Sequence, residues 1–179
     1  MNHADHVRLL RDGVHAPDGT WADLGSGHGA FTLGLAELLG AQGHIYSVDR
    51  SASALQVQQR AMRERFPHIM VDYRVADFTH RLDLPRLDGV IMANALHFVR
   101  EKEPVLHLIQ SYLKEGGRLV LVEYNTDRGN RWVPYPLSYP TWERVAQAAG
   151  LVRTRLLHSV PSSFLGQFYS ACSEKRREG

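Results

Sequence analysis

The sequence predicts one doubly wound α/β domain, a mostly parallel sheet with helices on both faces. Three observations carry that prediction. Short apolar runs alternate with stretches of helical periodicity, as strands and crossover helices do in a parallel sheet. The runs at 20–24, 87–93 and 118–123 are nearly continuous, which burial on both faces demands. Pro161-Ser162-Ser163 is too short a link for a crossover, so the last two runs must pair as an antiparallel hairpin.

The elements follow in chain order. Val7, Leu10 and Val14 share one face of an opening helix, and the segment 1–16 reads as a lid over a ligand. Thr20-Trp21-Ala22-Asp23-Leu24 is the first strand, closed by glycines. Phe31, Leu35, Leu38 and Leu39 recur at helical spacing until Gly40 and Gly43 break the pattern. A second strand at 44–48 leads to Asp49. Ser51 caps the next helix, which buries Leu55, Met62 and Phe66 and stops at Pro67. Residues 69–75 and 87–93 are the third and fourth strands. Pro104 suits the first turn of a helix whose stripe is Val105, Leu106, Ile109, Tyr112 and Leu113, with Gly116-Gly117 as its end. The fifth strand is 118–123. Trp142, Val145, Ala146 and Ala149 form a last stripe closed by Gly150, before strands at 151–160 and 164–172. Seven strands and six helices fill a single domain over 1–179.

Composition narrows the function classes. Of 179 residues, 44% are apolar and 22% charged, the balance of a globular chain rather than a disordered one. No window is apolar enough to span a membrane, and the N-terminus lacks the pattern of a secretory signal, so a cytoplasmic location is expected. The single cysteine, Cys172, excludes a disulfide framework and a multi-cysteine zinc site. His3 and His6 stand at i, i+3 without a third ligand, the other histidines share no spacing, and no metal site is expected. The net charge of +2 is spread along the chain and lacks the dense basic footprint of a nucleic-acid binder.

The informative segment is Asp23-Leu24-Gly25-Ser26-Gly27-His28-Gly29, which follows a strand and opens a helix. Glycines there let a ligand approach the main chain without a Cβ in the way. The loop alone leaves two readings open, because Gly25-Ser26-Gly27-His28-Gly29-Ala30 also fits the dinucleotide fingerprint. Three acidic residues separate them. Asp23 lies near the end of a buried strand and needs a donor, such as a cationic or amino-bearing ligand; a diphosphate would be repelled. Asp49, twenty residues past Gly29, is placed to take both hydroxyls of a ribose. Asp77 follows the third strand, where a carboxylate accepts from an adenine amino group. A ligand with ribose, adenine and an amino-acid end, but no phosphates, satisfies all three.

On these residues the chain resembles the class I S-adenosylmethionine-dependent methyltransferases over nearly its full length. The resemblance implies a Rossmann-like, seven-stranded sheet with an antiparallel seventh strand, and S-adenosyl-L-methionine as the cofactor. Residues 23–29 look like the family's first motif, so Asp23, Gly25, Ser26, Gly27 and Gly29 would wrap the methionine part. Ser47-Val48-Asp49-Arg50 looks like the second, with Asp49 on the ribose and Arg50 beside the adenine. Ala76-Asp77-Phe78 resembles the third, at the adenine edge. Leu87-Asp88-Gly89-Val90 with Asn94 resembles the fourth, whose strand end lies near the transferred methyl. Residues 113–119 resemble the turn into the fifth strand. No Asn/Asp-Pro-Pro-Tyr segment follows the fourth strand, where Met92-Ala93-Asn94-Ala95 stands instead, which argues against the amino-methylating enzymes that act on adenine or glutamine. The few lysines do not support the tetrad of ribose methyltransferases on RNA.

For chemistry, His97 follows the fourth strand, and an imidazole is the side chain suited to exchange a proton near neutral pH, which makes it the candidate general base. Glu123 and Tyr124 end the fifth strand, on the side expected to face the acceptor. Residues 124–140 hold Arg131, Trp132, Tyr135 and Tyr139 among prolines and are expected to form a substrate wall. The expected function is methyl transfer to a small molecule, with specificity from the N-terminal helix, this loop or a partner subunit of a homo-oligomer. A nicotinamide-dependent oxidoreductase is the alternative from another class, though it explains neither Asp23 nor Asp77; a non-catalytic cofactor-binding module of the same fold is the other.

Overall fold

The apolar runs form β1 (Thr20–Leu24), β2 (His44–Asp49), β3 (Met70–Val75), β4 (Leu87–Ala93), β5 (Leu113–Tyr124), β6 (Leu151–Ser162) and β7 (Gly166–Lys175). A computed structural model, which describes residues 1–14 and 17–177, joins them in one sheet of order β3-β2-β1-β4-β5-β7-β6. Residues 15–16, the end of the expected lid segment, and 178–179 lie outside the described residues. The strands from β3 to β5 run parallel, and β7 pairs antiparallel with both β5 and β6. The strand order reverses between β1 and β4, so the loops leaving those two strands part from each other. That divergence opens a crevice at the carboxyl ends of the strands.

Among the described residues five α-helices cover the sheet: α1 (His3–Arg11), α2 (Ala30–Leu39), α3 (Ala52–Arg65), α4 (Lys102–Tyr112) and α5 (Tyr139–Ala148). Period-two alternation along β4 divides its side chains between two cores. Val90 and Met92 pack with Leu106 and Ile109 of α4 and Trp142 of α5. Ile91 and Ala93 face the other way, with Leu9 and Leu10 of α1 and Leu35 and Leu39 of α2. α1 starts at a capping box, in which Asn2 accepts from the Asp5 amide and Asp5 accepts from the Asn2 amide. Among the described residues no helix is long and apolar enough to cross a membrane.

Three local expectations are corrected. Leu113 does not continue α4; it opens β5, buried and paired with Leu87, and the register then slips before Gly89 meets Arg118. Gly116-Gly117 therefore lies in a bulge of the strand and does not end a helix. At the closing hairpin, Pro161 and Ser162 remain paired with Gln167 and Gly166, so the turn falls on residues 163–165. Proline is tolerated there because β6 is an edge strand, whose outer side needs no ladder donor. The six expected helices become five and a 3-10 turn at Leu96–Phe98, and the β3–β4 crossover carries no helix. Its backbone is satisfied locally instead: Thr79 N–H donates to Asp77, and Leu82 N–H donates to the Tyr112 hydroxyl at 2.8 Å.

One position shows how tightly the sheet meets its cover. Gly89 pairs with Trp21 across β1 and β4, and a Cβ at Gly89 would lie 2.2 Å from the buried indole. A methyl added there has nowhere to go. Gly89→Ala should therefore lower the unfolding free energy by about 1–3 kcal/mol, although alanine ordinarily suits a strand better than glycine. Urea denaturation reads this as a lower midpoint with an unchanged slope; an unchanged midpoint would show that Trp21 does not rest on Gly89.

Candidate active site

The loop between β1 and α2 is anchored and compressed from two sides. Gly25 and Ser26 both donate their amides to Val48 O, at 2.9 and 3.1 Å, tying the loop to the end of β2. Gly25 has φ +79°, and a Cβ there would lie 2.6 Å from Cβ of Ala95, just past β4. Gly29 has φ +89°, and its Cβ would lie 2.3 Å from Gln58 of α3. Only glycine permits both the left-handed backbone and the approach.

Two cavities border this loop. One, of about 200 Å³, is walled by Asp49, Asp77, Phe78 and Phe98. The other, of about 320 Å³, is walled by His6, Asp23, Gly27 and His28. They share Gly25 and Asn94. Asn94 follows β4 in the left-handed region, with φ 53°, and its backbone amide donates to Val122 O at 2.9 Å. Its Oδ1 is buried without a hydrogen-bond partner. An unpaired buried amide oxygen costs about 1–3 kcal/mol, so a donor supplied by a ligand would be strongly favoured there.

Three carboxylates face these cavities, each held by different partners. Asp23 is 1% exposed; burial pushes its carboxyl up to about 7, against the Thr32 hydroxyl that donates to Oδ2 at 2.6 Å, and Asp49 raises it further. Asp49 accepts from Gly27 N–H at Oδ2 and from Ser51 N–H at Oδ1, both at 2.8 Å. Each oxygen keeps a lone pair for a ligand hydroxyl. Asp77 is held below the usual carboxylate range, chiefly by the Thr79 hydroxyl and amide, with Arg50 at 3.6 Å and His80 at 3.9 Å adding to the effect. Arg50 is otherwise exposed, and Phe78 lies against Gly25. Ala76 differs from the expectation: its amide bonds to Asp49 O at 3.0 Å and its side chain packs on the core, bordering neither cavity.

The three candidates for chemistry form a separate group beside the first cavity. His97 sits in the 3-10 turn, 3% exposed. Its Nδ1 lies 2.8 Å from Glu123 Oε2, and its backbone amide donates to Oε1 at 3.1 Å. Glu123 is fully buried, so it turns inward to His97 and does not face an acceptor as expected. Tyr124 stacks on Phe168 at 4.2 Å, with its ring 6.0 Å from that of His97. Burial pushes its hydroxyl up, and Glu123 adds to this. None of the three borders either cavity; Phe98, whose ring packs on His97 at 4.3 Å, does. The 124–140 segment is strapped to this turn, since Tyr135 N–H donates to His97 O at 3.0 Å and Lys102 Nζ donates to the Val99 and Tyr135 carbonyls. Val133 and Leu137 anchor it in the core while Trp132 stays exposed.

Sequence reasoning missed Thr32, Ser47 and Gln58, which are fully buried beneath the glycine loop. A signal was present for Gln58, a polar residue placed i+3 from Leu55 and i−4 from Met62 on the apolar stripe of α3.

A family model described as a methyltransferase domain matches residues 16–154. The chain is 30% identical over 128 residues to a ubiquinone/menaquinone biosynthesis C-methyltransferase of Shewanella frigidimarina, covering 70% of this chain and 49% of that one. It is 34% identical over 113 residues to an arsenite methyltransferase of Aquipseudomonas alcaligenes, covering 59% of this chain and 33% of that one. The chain thus spans half or less of the length of these relatives. A solved structure of a SAM-dependent methyltransferase from Aquifex aeolicus shares the fold, with a TM-score of 0.74 at 18% identity over 95% of this chain and 89% of that one.

The state of Asp23 predicts a pH dependence of stability. A carboxyl raised from 3.8 to about 7 keeps its proton in the native state where the unfolded chain has lost it. Its contribution therefore lowers stability as pH rises from about 4 to about 7, by up to roughly 4 kcal/mol, and is level above that. Asp23→Asn removes the effect, so the stability of the parent minus that of the variant should fall between pH 5 and pH 7 in urea denaturation. A constant difference would show that Asp23 is ionised throughout.

Proposed function

The chain belongs to the methyltransferase-domain family, and on that premise we propose that it transfers the methyl group of S-adenosylmethionine to a small-molecule acceptor. The observation that carries this reading is the unpartnered Asn94 Oδ1 at the junction of two cavities ringed by Asp23, Asp49 and Asp77. The cofactor, when bound, supplies an electrophilic methyl on a sulfonium sulfur. Its positive charge and ammonium suit a site of carboxylates. A diphosphate does not suit it, because Gly27 N–H, the kind of donor that cradles phosphate at a helix N-terminus, is already committed to Asp49.

In this reading Asp49 takes the ribose hydroxyls through its remaining lone pairs, and Asp77 and Phe78 hold the adenine with Arg50 at the rim. Asp23 and Asn94 accept from the ammonium, while Gly25, Ser26, Gly27 and Gly29 bring the main chain close to the methionine part. His97 is the general base for an acceptor that must lose a proton. Glu123 is its positioning residue, holding the Nδ1 proton so that Nε2 is the basic atom. Tyr124 and the 124–140 segment wall the acceptor side, and α1 serves as the lid, contributing His6 at the second cavity. Relatives named for quinone biosynthesis and for arsenite support an acceptor of small size. In this reading the chain acts in the cytoplasm.

Calorimetry tests the binding half. S-adenosylhomocysteine should bind with micromolar affinity and NADH should not; Asp49→Ala should weaken the former at least tenfold, roughly 1.4 kcal/mol. No binding by the intact chain overturns the reading. Because a bound ammonium favours ionised Asp23, affinity should rise between pH 6 and pH 8, with proton release on binding at pH 6. A flat profile would separate Asp23 from the ligand. His97→Gln should keep cofactor affinity and lower turnover about 100-fold or more with an acceptor that loses a proton; unchanged turnover retires His97 as the base.

A further inference from the structure

Four polar side chains run beneath the glycine loop, through β1, α2, α3 and β2, and meet Ser26 of the loop itself, in a place where a helix normally packs apolar residues on a sheet. Gln58 is at the centre, fully buried in the middle of α3. Its Nε2 donates to Thr32 Oγ1, whose hydroxyl donates to Asp23 Oδ2 at 2.6 Å. Its Oε1 accepts from Ser47 Oγ at 2.8 Å, and that oxygen lies 2.8 Å from the Ser26 hydroxyl. The same side chain presses on Gly29, where a Cβ would lie 2.3 Å from it.

We propose that Gln58 is a positioning residue of the cofactor site, holding the Asp23 carboxylate through Thr32 and the Ser26 hydroxyl through Ser47, so that one neutral side chain fixes the end of β1 and the glycine loop that follows it. A carboxamide combines donor and acceptor in one uncharged head, which the two hydroxyls on either side require. A leucine of similar volume would leave both hydroxyls buried with a lost partner. The chain of donors also acts on Asp23 electrostatically. Gln58 N–H polarises the Thr32 hydroxyl, which strengthens its hydrogen bond to the carboxylate and favours ionisation. Asp49, at the end of β2, opposes ionisation; among the described residues the Met1 α-amino group, His6 of α1 and His28 of the loop are the other titratable groups on the same cavity, and Asn94 faces it from just past β4 without charge. Gln58 thus tunes, from outside the cavity, how readily the site presents a negative charge to the ammonium of a ligand.

This inference rests on the assignment of Asp23 to the cofactor site, and its test separates the two. The Asp23 carboxyl carbon is followed by NMR through a pH titration of the ligand-free protein, in the parent and in Gln58→Leu. The expected result is an upward shift of the Asp23 midpoint by about half a pH unit or more, equivalent to about threefold in proton affinity. S-adenosylhomocysteine binding should weaken about threefold at pH 6, where Asp23 is mostly protonated in both, and converge with the parent near pH 9, where Asp23 is ionised in both. A merely structural role would weaken binding equally at both pH values and leave the midpoint in place; either result overturns the proposal. Should Gln58→Leu fail to fold, Gln58→Glu keeps the shape and adds a second acid two hydrogen bonds from Asp23. The midpoint must then rise, and an unchanged midpoint overturns the proposal. If the parent itself does not bind S-adenosylhomocysteine, the cofactor reading fails, and the ligand-free midpoint still decides the role of Gln58.

Discussion

A carboxylate buried near the end of the central strand constrains everything around it. Asp23 retains 1% of its surface, and one hydrogen bond from Thr32 does not offset the loss of water, which is why its proton is held up to about pH 7. Such a group is tolerated where a ligand repays its burial. The rest of the site follows from accommodating it: glycines that let the loop fold over the strand end, a polar chain beneath the loop, and an asparagine opposite whose oxygen has no partner. The same features favour a cationic, amino-bearing ligand over a phosphate.

The strand order gives this constraint its setting. Because β1 lies between β2 and β4, the residues that end these three strands converge although they are far apart in sequence. Asp49 reaches the loop through Gly27, and Asn94 reaches it through the shared wall at Gly25. The β4–β5 register likewise brings His97 to Glu123, across 26 positions of sequence. The acid–imidazole pair is thus a product of the sheet, built one strand over from the glycine loop.

Much of this was legible in the residues. Asp23 interrupts the apolar run of β1, Asp49 closes β2 and Asp77 follows β3, so each acid is visible in the sequence by its place at the end of a strand. What was misread has physical reasons. Leu113 fits the apolar stripe of α4 as well as a strand start, and only pairing with Leu87 decides between them. Pro161 reads as a turn residue, and its edge position, which makes it harmless in a strand, is a property of the whole sheet. Glu123 reads from the sequence as facing the acceptor because alternation along a strand does not say which face holds a buried partner. Gln58 broke the apolar stripe of its helix, a signal visible in the sequence whose meaning needed Thr32 and Ser47 beside it.

The central claim is that one ligand lies across both cavities, passing Gly25 and Asn94. Amide chemical-shift mapping on addition of S-adenosylhomocysteine tests it most directly. The account predicts shifts at Gly25 and Asn94 together with both flanks, the 77–79 turn on the adenine side and Gly27 and His28 on the methionine side. Shifts confined to one flank, with Asn94 unmoved, would contradict it.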